Sequence, residues 1–252
     1  MEYGFYEKMN IPPSCEVGST IFKKLFYENA NMNSSDKKIF TEDVEKITWK
    51  YSFKEENLNI KPLITEELDY EEIAVIEISL ANDLKYKRIA EIVQMTIPYP
   101  LILIFTHKDR ILINSAGKRI NKADESRNTV ENYVYSPWIN LSALKGNELQ
   151  FFEALNIRNF SFVNMYMFYN SFVDRLNVFN ASVITGNFEK LSSKNIEEVN
   201  SLNKEIQSLS TDIENLRSSL KQEVQFNRRI DINIEIKKLE EERTNLIKKL
   251  NE

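Results

Sequence analysis

One cysteine, one histidine, five glycines and six prolines are spread over 252 residues. Cys15 alone cannot close an internal disulfide, which fits a reducing compartment. A single histidine with no cysteine cluster cannot make an ordinary zinc site. So few glycines and prolines leave little room for long irregular loops. There is no glycine-rich phosphate loop either. Asn114-Ser115-Ala116-Gly117-Lys118-Arg119 ends in Gly-Lys-Arg but lacks the first glycine and the Ser or Thr that binds magnesium. No apolar run approaches the roughly 20 residues that span a bilayer. The N-terminal Met1-Glu2-Tyr3-Gly4 does not start a basic-then-apolar secretion signal. A net charge of −5 and a pI near 5.3 argue against a dominant grip on nucleic acid. The expectation is a soluble, cytoplasmic protein with no membrane contact.

What is present is apolar enough, at 42% hydrophobic residues, for a real core. Its centre is residues 73–105. Ile73-Ala74-Val75-Ile76-Glu77-Ile78-Ser79-Leu80 is rich in β-branched residues. Ala74, Ile76 and Ile78 share one face, while Ile73, Val75 and Ser79 share the other. Both faces are largely apolar, as in a strand covered on each side. Asn82 or Asp83 is placed to cap a helix that buries Leu84, Ile89, Ile92 and Val93 and that Pro98 and Pro100 end. Leu101-Ile102-Leu103-Ile104-Phe105 is again wholly apolar. Strand, helix and strand predict a right-handed parallel pair, with Thr106 and His107 at its carboxyl edge.

Around this unit the sequence predicts short helices after Ser19 or Thr20 and from Ser34 through Val44. It predicts a strand over 47–53 nearer a sheet edge and an acidic loop over 54–71. A hairpin turns at Lys108-Asp109 into a strand over 110–114. A polar loop over 115–128 and a last strand over 132–135 come after it. Beyond Leu149 a short helix comes first. A long one, capped by Ser161, then runs to Thr185, with Phe162, Met165, Tyr166, Tyr169, Phe172, Val173, Leu176 and Phe179 at three- and four-residue steps. Gly186 suits the left-handed residue that closes it.

From 195 on, Val199, Leu202, Ile206, Leu209, Ile213, Leu216 and Leu220 keep the rhythm of a coiled-coil seam. A second series, Ile232, Ile236, Leu239, Leu246 and Leu250 with Arg243 at one core position, is out of register with the first. The shift falls near Gln225-Phe226-Asn227-Arg228-Arg229. It favours an antiparallel hairpin over one continuous helix with a stutter, which would run on the order of 80 Å. The fold class is α/β (α+β), a mixed sheet with flanking helices in 1–148. A helical segment over 149–191 packs on it, and a coiled-coil-like hairpin occupies 192–252.

Candidate chemistry is sparse. His107 follows a buried strand and is a candidate proton shuttle, against the commoner reading of a hairpin position. Glu45, Asp69 and Glu77 lie on or beside strands, as the acids of restriction-type nucleases do. Glu77-Ile78-Ser79, however, lacks the lysine of the acid-x-Lys triplet, and Lys87 replaces it only by assumption. Magnesium enters only with that reading; otherwise no cofactor is expected. Lys108, Arg110, Lys118, Arg119, Lys122 and Arg127 form a locally basic stretch able to touch phosphates, the alternative being a solvated hairpin. The tail offers Leu202, Ile206, Leu209, Ile213, Leu216, Phe226, Asn227, Arg228 and Arg229 for a protein partner or a second copy, the alternative being a self-packed hairpin.

Several stretches together resemble the bacterial family called domain of unknown function 4391. They are Ile11-Pro12-Pro13-Ser14, Lys24-Leu25-Phe26-Tyr27-Glu28-Asn29-Ala30, Asp43-Val44-Glu45-Lys46-Ile47-Thr48-Trp49 and Ile97-Pro98-Tyr99-Pro100. Later come Asn164-Met165-Tyr166, Asp174-Arg175-Leu176, Ile184-Thr185-Gly186 and Phe226-Asn227-Arg228-Arg229 with Asn233. The family's Asn-Leu-Tyr reads Asn-Met-Tyr here, and its Leu-Thr-Gly reads Ile-Thr-Gly. The resemblance implies no activity. Members are often encoded beside helicases and DNA methyltransferases in restriction-like or antiviral clusters. It therefore implies a defence-associated, non-catalytic accessory subunit whose partner is such a helicase or methyltransferase.

Overall fold

A computed structural model describes residues 4–121 and 128–252. It divides into two compact units, Met1–Leu176 and Asn177–Glu252. The division falls inside a long helix, between the boundaries expected after 148 and after 191.

The first unit is built on one mixed sheet, with strand order β1 (Glu16–Thr20), β2 (Val44–Phe53), β5 (Ile73–Leu80), β6 (Leu101–His107), β7 (Arg110–Ile120) and β8 (Asn128–Tyr135). The short β9 (Ile139–Asn140) pairs with the start of β7. A separate two-stranded sheet joins β3 (Leu63–Ile64) to β4 (Asp69–Tyr70). Strands β5 and β6 run parallel, linked by α5 (Tyr86–Thr96), and the other pairs are antiparallel. Ala74, Ile76 and Ile78 share one core with Leu101, Leu103 and Phe105. Phe26 of α2 (Lys23–Asn29), Phe40 of α3 (Ser34–Glu42), and Ile89 and Val93 of α5 cover it. Elsewhere in the unit Phe53 meets Phe168 of α7 (Met165–Thr185), ring centroids 5.4 Å apart. Phe5 of α1 (Phe5–Met9) meets Phe152 of α6 (Gly146–Ala154) at 5.2 Å.

Several local expectations are corrected. Ser19 and Thr20 cap no helix; they belong to β1 and pair with Trp49 and Thr48. β2 therefore lies inside the sheet, with β1 as its edge. Val44 starts β2 and does not end α3, whose cap is Asn33. Pro13 enters a 3-10 turn, Pro13–Cys15. The acidic 54–71 stretch carries α4 (Glu55–Leu58) as well as β3 and β4. Asn82 and Asp83 precede α5 by two residues or more. Asn82 accepts from the Leu84 N–H, Asp83 pairs with Arg110, and Leu84 is left 76% exposed. β7 runs on to Ile120, so residues 115–120 are strand and not loop. Asn164, in place of Ser161, accepts from the first turn of α7, which leaves Phe162 outside the helix. Gly186 does close α7, at φ +81°, its N–H donating to Ser182.

Polar side chains fasten the joints. Where β7 slips register against β8, Tyr169 Oη accepts from the Ala116 N–H at 3.1 Å. It also lies within hydrogen-bond reach of the Ala116 and Leu101 carbonyls. Arg175 of α7 donates to the carbonyls of Ala154, Asn159 and Ser171, each at 2.7 Å. Asp36 is both the inward half of the α3 capping box and a bidentate acceptor for Arg88, at 2.8 and 2.9 Å. Arg88 holds the Asp36 carboxyl below its ordinary value of 3.8. This stabilisation is present above pH 4 and lost as pH falls through the depressed value. Asp36→Ala is expected to cost about 2 kcal/mol in urea unfolding at pH 7, because it removes both bonds to Arg88, which keeps only Glu91, and half of a helix cap. A loss below about 0.5 kcal/mol would make the pair a mere surface contact.

In the second unit α8 (Phe188–Ser192) leads to α9 (Ile196–Gln222) and α10 (Phe226–Asn251), which pack on each other. Lys194 Nζ donates to the Leu250 carbonyl at 3.0 Å, and Arg217 pairs with Glu240 at 2.6 Å. Contacts between opposite ends make this an antiparallel hairpin turning at residues 223–225. Asn195 caps α9 by accepting from the N–H groups of Glu197 and Glu198.

Candidate functional site

The three carboxylates proposed for metal chemistry do not meet. Glu77 sits in mid-strand on β5, with the Tyr6 hydroxyl donating at 2.7 Å and Lys50 Nζ at 4.0 Å. It borders a cavity of about 220 Å3 with Tyr6, Ile104 and Thr106. Glu45 is exposed at a register shift of β2, and Asp69 is exposed on the separate small sheet, where it accepts from the Glu71 N–H. Among the described residues no group of three or more His, Cys, Asp or Glu side chains is placed to hold a metal ion. Lys50, from the neighbouring strand, is the cation beside Glu77, and not Lys87, which stands in for the missing lysine only by assumption. His107 is 9% exposed, and its Nδ1 lies 2.9 Å from the Leu80 carbonyl. That bond ties the end of β6 to the end of β5 and commits the imidazole to structure.

The basic stretch comes apart in the same way. Lys118 is 3% exposed, its Nζ donating to the carbonyls of Ile97 and Tyr99 at 2.6 Å each. Burial pushes its ammonium well below its ordinary value. It cannot reach a phosphate. Arg119 lies between Glu131 at 2.8 Å and Glu67 at 3.7 Å. Arg110 pairs with Asp83 at 2.7 Å beneath its stacking on Trp138. Lys108 is exposed in the β6–β7 turn, at φ +54°. Lys122 and Arg127 lie outside the described residues.

In the hairpin the expected seam is spent at home. Val199, Ile206, Ile213, Ile236 and Leu250 are buried, and Leu202, Leu209 and Leu216 are half-buried. Ile206 and Ile213 are therefore not open to a partner. Arg243, at its core position, has its Nε buried without a hydrogen-bond partner. The exposed apolar side chains lie elsewhere, at the tip: Val224 at 89%, Phe226 at 75%, Ile234 at 62% and Ile230 at 42%. Phe226, Ile230 and Ile234 recur every fourth residue. At 100° per residue they form a stripe on the side of α10 away from Ile236 and Leu250. Asn227, Arg228 and Arg229 are exposed beside it. The signal was legible as a four-residue repeat belonging to neither seam.

A second feature went unseen in the sequence. A cleft of about 600 Å3 in the first unit is lined by Cys15, Glu16, Trp49, Ser52, Lys54, Glu72 and Tyr99 among others. Glu72 is 7% exposed; the Ser52 hydroxyl donates to one carboxylate oxygen and Lys54 Nζ lies 3.2 Å from the other. Glu72 closes a run of acidic residues that reads as a solvated loop, so nothing marked it as buried. Burial pushes the Cys15 thiol up, which keeps it neutral at pH 7.

No helix among the described residues is long and apolar enough to cross a membrane. Comparison with curated proteins and with solved structures gave no match. A family model does match, over residues 9–242, and by that match the chain belongs to the family described as a domain of unknown function (DUF4391).

Proposed function

We propose that this protein is a non-catalytic accessory subunit, acting in the cytoplasm, that binds a protein partner through the tip of its C-terminal hairpin. One observation carries the reading. The hairpin buries its own seam yet leaves Phe226, Ile230 and Ile234 in solvent on one face. Three large apolar groups in line on the otherwise polar outer face of α10 gain nothing for the fold, and an amphipathic helix of this pattern docks in a groove through such anchors. The scattering of Glu45, Asp69 and Glu77 removes the main support for a nuclease. The burial or pairing of Lys118, Arg110 and Arg119 does the same for a phosphate-binding surface. The partner is a helicase or DNA methyltransferase of a restriction-like or antiviral system, the company implied by the family resemblance.

The test uses the full chain with a purified helicase and a purified DNA methyltransferase of a restriction-like cluster from the same genome, titrated separately. One of them is expected to bind. The double change Phe226→Asp and Ile230→Asp is expected to weaken binding at least about 100-fold, since two desolvated anchors are lost. Unfolding stability should move by less than about 0.5 kcal/mol, because both side chains are exposed. Undiminished binding by the double variant, or no binding to either protein, would remove the proposal.

A further inference from the structure

We propose that the cleft around Glu72 is a binding site for an organic cation, a primary ammonium or guanidinium group on an alkyl chain. This does not rest on the hairpin reading. The cleft's volume of about 600 Å3 is within the usual range for small-ligand sites. Its charge is one-sided: Glu16, Glu56 and Glu72 line it against the single Lys54, and the Cys15 thiol enters neutral. Trp49 and Tyr99, ring centroids 5.9 Å apart, both line it, and aromatic rings attract organic cations. Glu72 supplies the anchor, a carboxylate 7% exposed whose orientation Ser52 fixes.

The cleft already shows the contact it would make with a ligand. Lys54 Nζ is itself a primary ammonium, 3.2 Å from Glu72, and its side chain is 45% exposed. A ligand ammonium would take this place while Lys54 swings into solvent on its flexible stem. A phosphate or carboxylate ligand would meet three negative side chains and one positive one. Three of the stretches that carry the family resemblance meet here as well, through Ser14, Trp49 and Tyr99.

Calorimetric titration of the full chain tests this with agmatine, putrescine and Nα-acetyl-lysine amide, and with inorganic phosphate and AMP as anionic counterparts. At least one amine is expected to bind with a dissociation constant below about 1 mM. Tighter binding of the diamine or agmatine assigns a free polyamine as ligand; tighter binding of the lysine amide assigns a basic side chain of a peptide. Lys54→Met, which removes the internal competitor, is expected to tighten amine binding about tenfold. Glu72→Gln is expected to weaken it by more than about tenfold. Should Glu72→Gln fail to fold, Glu56→Gln, which neutralises a second lining carboxylate, is expected to weaken binding several-fold. The proposal is overturned by weaker amine binding in Lys54→Met, by preferential binding of AMP or phosphate, or by no amine binding up to about 10 mM.

Discussion

Lys118→Met is expected to destabilise the protein by about 3 kcal/mol in urea unfolding at pH 7, although among the described residues no carboxylate partners the lysine. The reason lies in the segment just beyond α5. Ile97-Pro98-Tyr99-Pro100 leaves the helix through two prolines, which have no N–H to give, and its carbonyls turn into the interior. Lys118 Nζ meets those of Ile97 and Tyr99 at 2.6 Å each. Ile97 is the C-cap of α5, its N–H donating to the Val93 carbonyl, so its own carbonyl lies at the helix end where a cation is favoured. Methionine keeps the length and the apolar stem but donates nothing, so two buried acceptors are left unmet at about 1–3 kcal/mol each. The gain from no longer burying an ammonium offsets part of this. A change below about 1 kcal/mol would mean that the carbonyls find other donors, and that Lys118 is not what holds the bend.

Lys118 also shows where the sequence stops being legible. β5 and β6 can be read because their residues are largely apolar on both faces, and α5 because Ile89, Ile92 and Val93 share one; the fold uses them so. Sequence alone ends β7 at Asn114 because Lys118 and Arg119 look like loop residues. One is buried on backbone carbonyls and the other lies between two glutamates. Charge in a sequence does not tell a solvated side chain from one with its partners inside. β1 escapes notice for the opposite reason. Glu16–Thr20 is exposed along its whole length, and Gly18, at φ +65°, breaks its register, so no alternation marks it. The same blindness hides Glu72, the last of a run of acids and the one that is buried. The hairpin can be read because a seam every three and four residues has few other uses. The stripe of Phe226, Ile230 and Ile234 is overshadowed by that stronger pattern.

Alkaline unfolding is expected to be steep, and the sign comes from the buried phenols. Burial pushes Tyr70 up from 10.0 to about 12 and raises Tyr169 further. Both are 2% exposed. Below pH 10 the folded and unfolded chains hold these protons equally. Above it the unfolded chain releases them while the folded chain keeps them, so the folded state binds more protons and stability falls with pH. Each phenol contributes a loss of about 1.4 kcal/mol per pH unit until its folded value is reached. Lys118 acts the other way. Its folded value is depressed, so the unfolded chain binds the extra proton and stability rises with pH, but only up to its ordinary value of 10.5. Up to that pH the lysine cancels one tyrosine, and beyond it the tyrosines act unopposed. In urea unfolding between pH 11 and 12 these two phenols alone are therefore expected to contribute a slope near −3 kcal/mol per pH unit, and Tyr135, which burial also raises, steepens it. Their loss reaches roughly 6 kcal/mol by pH 13, enough to unfold a protein at the lower end of the usual 5–15 kcal/mol range. Tyr169→Phe should start about 1–3 kcal/mol less stable at pH 7, having left the Ala116 N–H without its acceptor, and its slope should be shallower by about 1.4 kcal/mol per pH unit. A wild-type profile that stays flat from 10.5 to 12 would mean that the two phenols titrate in the folded protein as they do in water.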